Sequence, residues 1–83
     1  MKRNIRISTS NADLTVYLEP IPFEFNVKSN SFADIQFRLD HLEDAIEIFV
    51  EDNHISVSGS ITAVFVDGDD IYNDGLIVPG TQY

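Results

Sequence analysis

Asp40-His41-Leu42-Glu43-Asp44-Ala45-Ile46-Glu47-Ile48-Phe49-Val50-Glu51-Asp52-Asn53 is the stretch on which the fold turns. Within it Leu42, Ala45, Ile46, Phe49 and Val50 fall at i, i+3, i+4, i+7 and i+8, the single apolar stripe of an amphipathic helix. Asp40 is placed to act as N-cap, accepting from the free amides of the first turn. Glu43, three residues on, resembles the return half of a capping box. Asn53 tolerates the left-handed conformation found at helix ends. The spacing therefore predicts a helix over about 41–52.

Outward from this segment the period is 2. On the N-terminal side four strands are expected. Ile5 and Ile7 alternate with Arg6 and Ser8, and Leu14, Val16 and Leu18 with Thr15, Tyr17 and Glu19. Phe23, Phe25 and Val27 alternate with Glu24, Asn26 and Lys28, and Ala33, Ile35, Phe37 and Leu39 with Asp34, Gln36 and Arg38. Pro20-Ile21-Pro22 stops the second strand, because proline lacks the ladder donor and restricts the residue before it. On the C-terminal side, residues 55–66 carry no charge and resume period 2. One reading is a single long strand with a bulge at Gly59; the other is a hairpin with a Gly59-Ser60 turn. The unbroken phase across the glycine favours the long strand. Residues 67–75 read as a loop, with a short edge strand from Ile71-Tyr72 and Leu76-Ile77-Val78. The expected fold is α+β: a mostly antiparallel sheet of about five strands with one helix packed on one face, order β-β-β-β-α-β(-β).

The 83 residues allow one domain, 1–83, with a small core. Absence of cysteine excludes disulfide staples and Cys-based zinc sites. With 14 Asp and Glu against 5 Lys and Arg, the net charge of −9 argues against direct binding of nucleic acid or an anionic membrane. No apolar run long enough for a signal peptide or a membrane span is present, so a cytoplasmic location is expected.

The charge is uneven along the chain. Residues 1–40 hold every Lys and Arg and balance them with acids, whereas residues 41–83 hold acids alone. Those acids fall in two clusters, Glu43, Asp44, Glu47, Glu51 and Asp52, then Asp67, Asp69, Asp70 and Asp74. Asymmetry of this kind points to an interaction surface. On the expected helix Glu43, Glu47 and Glu51 stand at i, i+4 and i+8, about 6 Å apart, where like charges repel. Glu51 and Asp52 would also oppose the dipole at its C-terminus. Such frustration without local compensation marks a candidate partner-binding face. The duller alternative is a solvated face that aids solubility.

Catalytic signals are lacking. His41 and His54 flank the expected helix roughly 18–20 Å apart, too far to share a metal. No Gly-x-Ser-x-Gly elbow, phosphate loop or dinucleotide fingerprint occurs. The expectation is therefore no enzyme, no cofactor and no catalytic residue. The acidic stretch from Asp67 fails the EF-hand template, since Ile71, Tyr72 and Val78 occupy its positions 5, 6 and 12. An irregular calcium loop over 67–75 stays open as an alternative.

A short, cysteine-free, strongly acidic chain with a small sheet and one carboxylate-lined helix resembles the small inhibitors that bacteriophages encode, anti-CRISPR proteins and DNA-mimic inhibitors of host nucleases among them. The resemblance is one of class and composition, with no motif to align, and the neutral first half departs from a fully acidic mimic. It implies a non-catalytic module, monomer or homodimer, that uses residues 43–52 and 67–74 to occupy the cationic nucleic-acid groove of a host defence or nucleic-acid enzyme. A different reading is an assembly protein that forms homo-oligomers through strand edges or through its neutral and acidic halves.

Overall fold

The computed structural model describes residues 2–19, 21, 23–40, 45–73 and 76–77. They form nine strands: β1 (Lys2–Ser8), β2 (Leu14–Glu19), β3 (Phe23–Val27), β4 (Phe32–Arg38), β5 (Glu47–Val50), β6 (His54–Ser58), β7 (Ile61–Val66), β8 (Asp69–Asn73) and β9 (Leu76–Ile77). Two sheets result. One has five strands in the order β1-β4-β7-β8-β9, the other four in the order β3-β2-β6-β5. Neighbouring strands are antiparallel except for β2 and β6, which run parallel. No helix among the described residues is long and apolar enough to cross a membrane.

The first four strands lie where alternation places them, and alternation also sets their faces. Val16, Leu18, Phe25, Val27, Ile55 and Val57 point inward from the four-stranded sheet. Ala33, Ile35, Phe37, Val64 and Val66 meet them from the five-stranded sheet. Burying each large apolar side chain contributes about 1.5–3 kcal/mol, and this interior is the main force holding the sheets together. Phe23 stacks on Phe25 and Tyr72 with ring centroids 6.0 and 6.1 Å away, which ties β3 to β8 across the layers.

The α+β expectation is overturned. Residues 45–46 are irregular, 47–50 form β5 and 51–53 turn into β6, while 41–44 lie outside the described residues. The physical reason is legible in the same residues. Ile46, Ile48 and Val50 also alternate, and β-branched residues fit a pleated surface better than a helix. The helix would have stacked Glu43, Glu47 and Glu51 on one face and set anions against its C-terminal dipole. With β5 extended, Glu47 and Glu51, the residue just past its end, stand about 13 Å apart. The electrostatic frustration belonged to the helix and counted against it.

Residues 55–66 are neither a long strand nor a hairpin. The chain leaves the four-stranded sheet at Ser58 and enters the five-stranded sheet at Ile61. At the crossing, the Gly59 N–H donates to the Glu19 carbonyl at 3.3 Å, and the Ser60 carbonyl accepts from the Arg38 N–H at 2.8 Å. Both sheets therefore hold the link. Gly59 has φ +153°, and a Cβ there would lie 3.1 Å from Phe37 Cδ2 and 3.2 Å from the Ala45 carbonyl oxygen. Residues 67–73 are likewise more ordered than a loop. Asp67 (φ 51°) and Gly68 (φ 86°) make a two-residue hairpin turn between β7 and β8, the left-handed pair that an Asp-Gly dipeptide favours.

Gly59→Ala should cost about 1–3 kcal/mol, the usual penalty for a side chain in a glycine-only backbone region. Ser60→Ala, at an exposed position, should stay within about 0.5 kcal/mol of wild type. Urea midpoints check both; equal midpoints for the two variants would contradict the crossing geometry.

Candidate functional site: an acidic sheet face with an aromatic centre

The expected site residues separate. Glu47 opens β5 and is exposed. Glu51 and Asp52 are exposed in the β5–β6 turn, Asp67 lies in the β7–β8 turn, and Asp69 and Asp70 begin β8. Glu43, Asp44 and Asp74 lie outside the described residues. The strand directions bring 51–52 and 67–70 to one end of the sandwich, together with the 9–13 and 28–31 connections. Glu47 stands at the other end of β5.

Asp67 and Asp70 have structural work. Asp67 Oδ1 accepts the Phe32 N–H at 3.1 Å, and Asp70 Oδ2 accepts from Asn73 Nδ2 at 3.2 Å. Asp70 Oδ1 is buried without a hydrogen-bond partner. Among the described residues no group of three His, Asp or Glu side chains converges as a metal site would need.

A different surface emerges from the register. Across the outer face of the four-stranded sheet run three rows. Glu19, Ser58 and Glu47 form the first, and Glu24, Tyr17, Ser56 and Phe49 the second. Asn26, Thr15 and His54 form the third, extended by Glu51, whose N–H donates to the His54 carbonyl at 2.9 Å. At about 4.8 Å between strands, the middle row is about 14 Å long. Carboxylates stand at the margin of this face. Tyr17, 38% exposed, and small hydroxyls hold its centre, and Phe49, 60% exposed, ends the middle row on the edge strand β5. The Tyr17 and His54 rings meet edge to face at 5.2 Å, which steadies the tyrosine. Beside it lies a depression of about 280 Å³ lined by Tyr17, Leu18, Glu19, Phe23 and Glu24. Two carboxylates and an aromatic ring suit one long cationic side chain, held by ion pairing and by contact with the ring face.

Charge segregates by sheet. The strands of the four-stranded sheet contain Glu19, Glu24 and Glu47 and no Lys or Arg. Those of the five-stranded sheet carry Lys2, Arg3, Arg6 and Arg38, four of the chain's five basic residues. On that opposite face Arg6 forms a bidentate pair with Asp34, Nε to Oδ1 at 2.8 Å and Nη2 to Oδ2 at 3.0 Å, and lies 4.3 Å from the Phe32 ring centroid.

Sequence reasoning missed Tyr17, Glu19, Glu24, Phe49 and His54. Counting charge by halves of the chain placed Glu19 and Glu24 in the neutral half. The alternation of Thr15, Tyr17 and Glu19 was the available signal, because it sets all three on one face. Compared with known protein families, curated proteins and solved structures, the chain matches none.

The Asp34 carboxyl is held below the ordinary carboxylate range, first by the Arg6 hydrogen bond, with a smaller one from Asn4, against an opposing desolvation. A lowered folded-state pKa means this stabilisation is complete above the normal Asp range and is lost as pH falls through the lowered value. Melting-temperature loss from about pH 7 to about pH 3 should therefore be smaller in Asp34→Asn than in wild type. Identical losses would place the acid sensitivity elsewhere.

Proposed function

We propose that this chain is a non-catalytic protein-binding module whose four-stranded sheet presents its outer face to a cationic protein surface. The observation that carries the reading is the arrangement of exposed Glu19, Glu24 and Glu47 around Tyr17 and Phe49 on a sheet whose strands hold no Lys or Arg. Interfaces commonly have a desolvated aromatic centre ringed by polar residues, and the centre carries most of the energy. Here the ring is anionic, so the complementary partner is basic.

In this reading the partner's cationic groove is one that otherwise holds nucleic acid, and the module acts as an inhibitor in the manner of the small acidic phage proteins, in the cytoplasm. Carboxylates at the margin steer the encounter and select against acidic partners. Tyr17 and Phe49 then supply the apolar contact that salt does not screen. The reading moves the contact away from Asp67, Asp69 and Asp70, which belong to the other sheet's hairpin, and onto the face that includes Glu47 and Glu51.

The test is a titration of the purified chain against nucleic-acid-binding proteins with basic grooves, at rising salt and with competing DNA. Binding should weaken as salt rises, and DNA should displace the chain. Tyr17→Ala and Phe49→Ala should each cost about 2 kcal/mol or more, as aromatic anchors of an interface do. Glu24→Lys should slow association. Binding that ignores salt, or that survives both aromatic truncations unchanged, would remove this face as the site.

A further inference from the structure

The edge of the four-stranded sheet carries a second surface. β5 is its terminal strand, and no described strand pairs with its free side. Ile48 is 45% exposed and Val50 76%, although both lie on the inward face beside Val57 and Ile55. Their exposure leaves apolar surface at this edge. The Glu51 N–H donates to the His54 carbonyl, which fixes the phase of the ladder. Residues 47, 49 and 51 turn their backbone groups toward β6, so Ile48 and Val50 direct theirs outward. A proline-free edge whose outward donors and acceptors meet no strand among the described residues is a template for another strand.

The same reasoning applies to β1, the terminal strand of the five-stranded sheet. The Thr9 N–H donates to the Ser31 carbonyl, so residues 3, 5 and 7 bond toward β4. Lys2, Asn4, Arg6 and Ser8 therefore direct their backbone groups outward. The two edges differ in charge: β5 is bounded by Glu47, Glu51 and Asp52, whereas β1 carries Lys2, Arg3 and Arg6.

We propose that the β1 edge of a second copy of this chain adds to the β5 edge, and that the same contact is made in return by the first copy's β1 and the second copy's β5. Charge complementarity selects this occupant over a second β5. Two β5 strands paired antiparallel about Phe49 would set Glu47 against Glu51 twice, and directly opposed like charges are destabilising. Parallel pairing with β1 satisfies both ladders and keeps inward residues beside inward residues. Glu47 then stands opposite Lys2, Phe49 opposite Asn4, Val50 opposite Ile5 and Glu51 opposite Arg6. β3 packs over β8 and the β6–β7 link lies beside β4, so β5 and β1 edge the same side of the sandwich, and the two copies close as a two-fold dimer with the contact made twice. The outer face with Tyr17 and Phe49 stays accessible along the assembly, and the inference does not depend on the function proposed for that face.

Sedimentation velocity of the full chain over a range of concentration tests it. The sedimentation coefficient should rise with concentration and fall back at high salt. Val50→Pro removes an outward donor at an edge position where proline is tolerated, so circular dichroism should stay native while the chain becomes monomeric. Glu47→Lys and Lys2→Glu should each weaken association roughly tenfold, because a favourable cross-strand pair becomes a repulsive one. Mixing those two variants should restore it, since both contacts of the mixed dimer again join opposite charges. A wild-type monomer at all concentrations overturns the proposal. So does tighter association of Glu47→Lys with no effect of Lys2→Glu, which would mark a β5-to-β5 dimer instead.

Discussion

Where the chain leaves β6 at Ser58 and enters β7 at Ile61, it passes from one sheet to the other through Gly59 and Ser60, with Gly59 at φ +153° and Phe37 packed closely against it. That close approach sets the spacing and phase of both layers. β6 is seated parallel to β2, and β7 is seated beside β4. With the phase fixed, every alternating side chain is assigned to the interior or to an outer face, since a one-residue slip would exchange the two. Fully buried Phe37, Val57 and Val64 lie on the interior side of that assignment.

The same phase produces the distribution of charge. Once the sheets are assembled, the basic residues of the strands fall in one layer, where Asp34, Asp69 and Asp70 accompany them, and the other layer carries acids alone. Glu19, Glu24 and Glu47 belong to one sheet, whereas Lys2, Arg3, Arg6 and Arg38 belong to the other. A chain with net charge −9 thus has one face free of basic side chains on its strands and another where Arg6 and Asp34 neutralise each other. The acidic face combines carboxylates with exposed aromatic rings.

Much of the β structure was legible because period 2 is unambiguous when one face is buried. Leu14, Val16 and Leu18, or Ala33, Ile35 and Phe37, leave no other reading. Residues 45–50 carried both periods at once, and short apolar runs of this kind cannot be decided by spacing alone. Their β-branched content and the repulsion among Glu43, Glu47 and Glu51 were the deciding features. Both favour a strand, and the expected helix went against them. Asp67-Gly68 held a hairpin signal that acidity obscured. The passage at Gly59 was not legible, because an unbroken phase looks the same whether a strand continues or changes sheet. The candidate face was hidden for a related reason: Tyr17, Glu24 and Phe49 are distant in sequence and meet only through register.

The placement of residues 47–50 as an edge strand underlies both the acidic face and the free edge, and nuclear Overhauser spectroscopy of the chain in solution tests it most directly. Ile48 with Val57 and Val50 with Ile55 are the non-hydrogen-bonded pairs of the β5–β6 ladder, in which opposed α-carbons approach to about 4.5 Å. Strong Hα–Hα cross-peaks within both pairs are the predicted result. Successive amide–amide cross-peaks running through residues 45–52, with those Hα pairs silent, would restore the helix and contradict the edge strand.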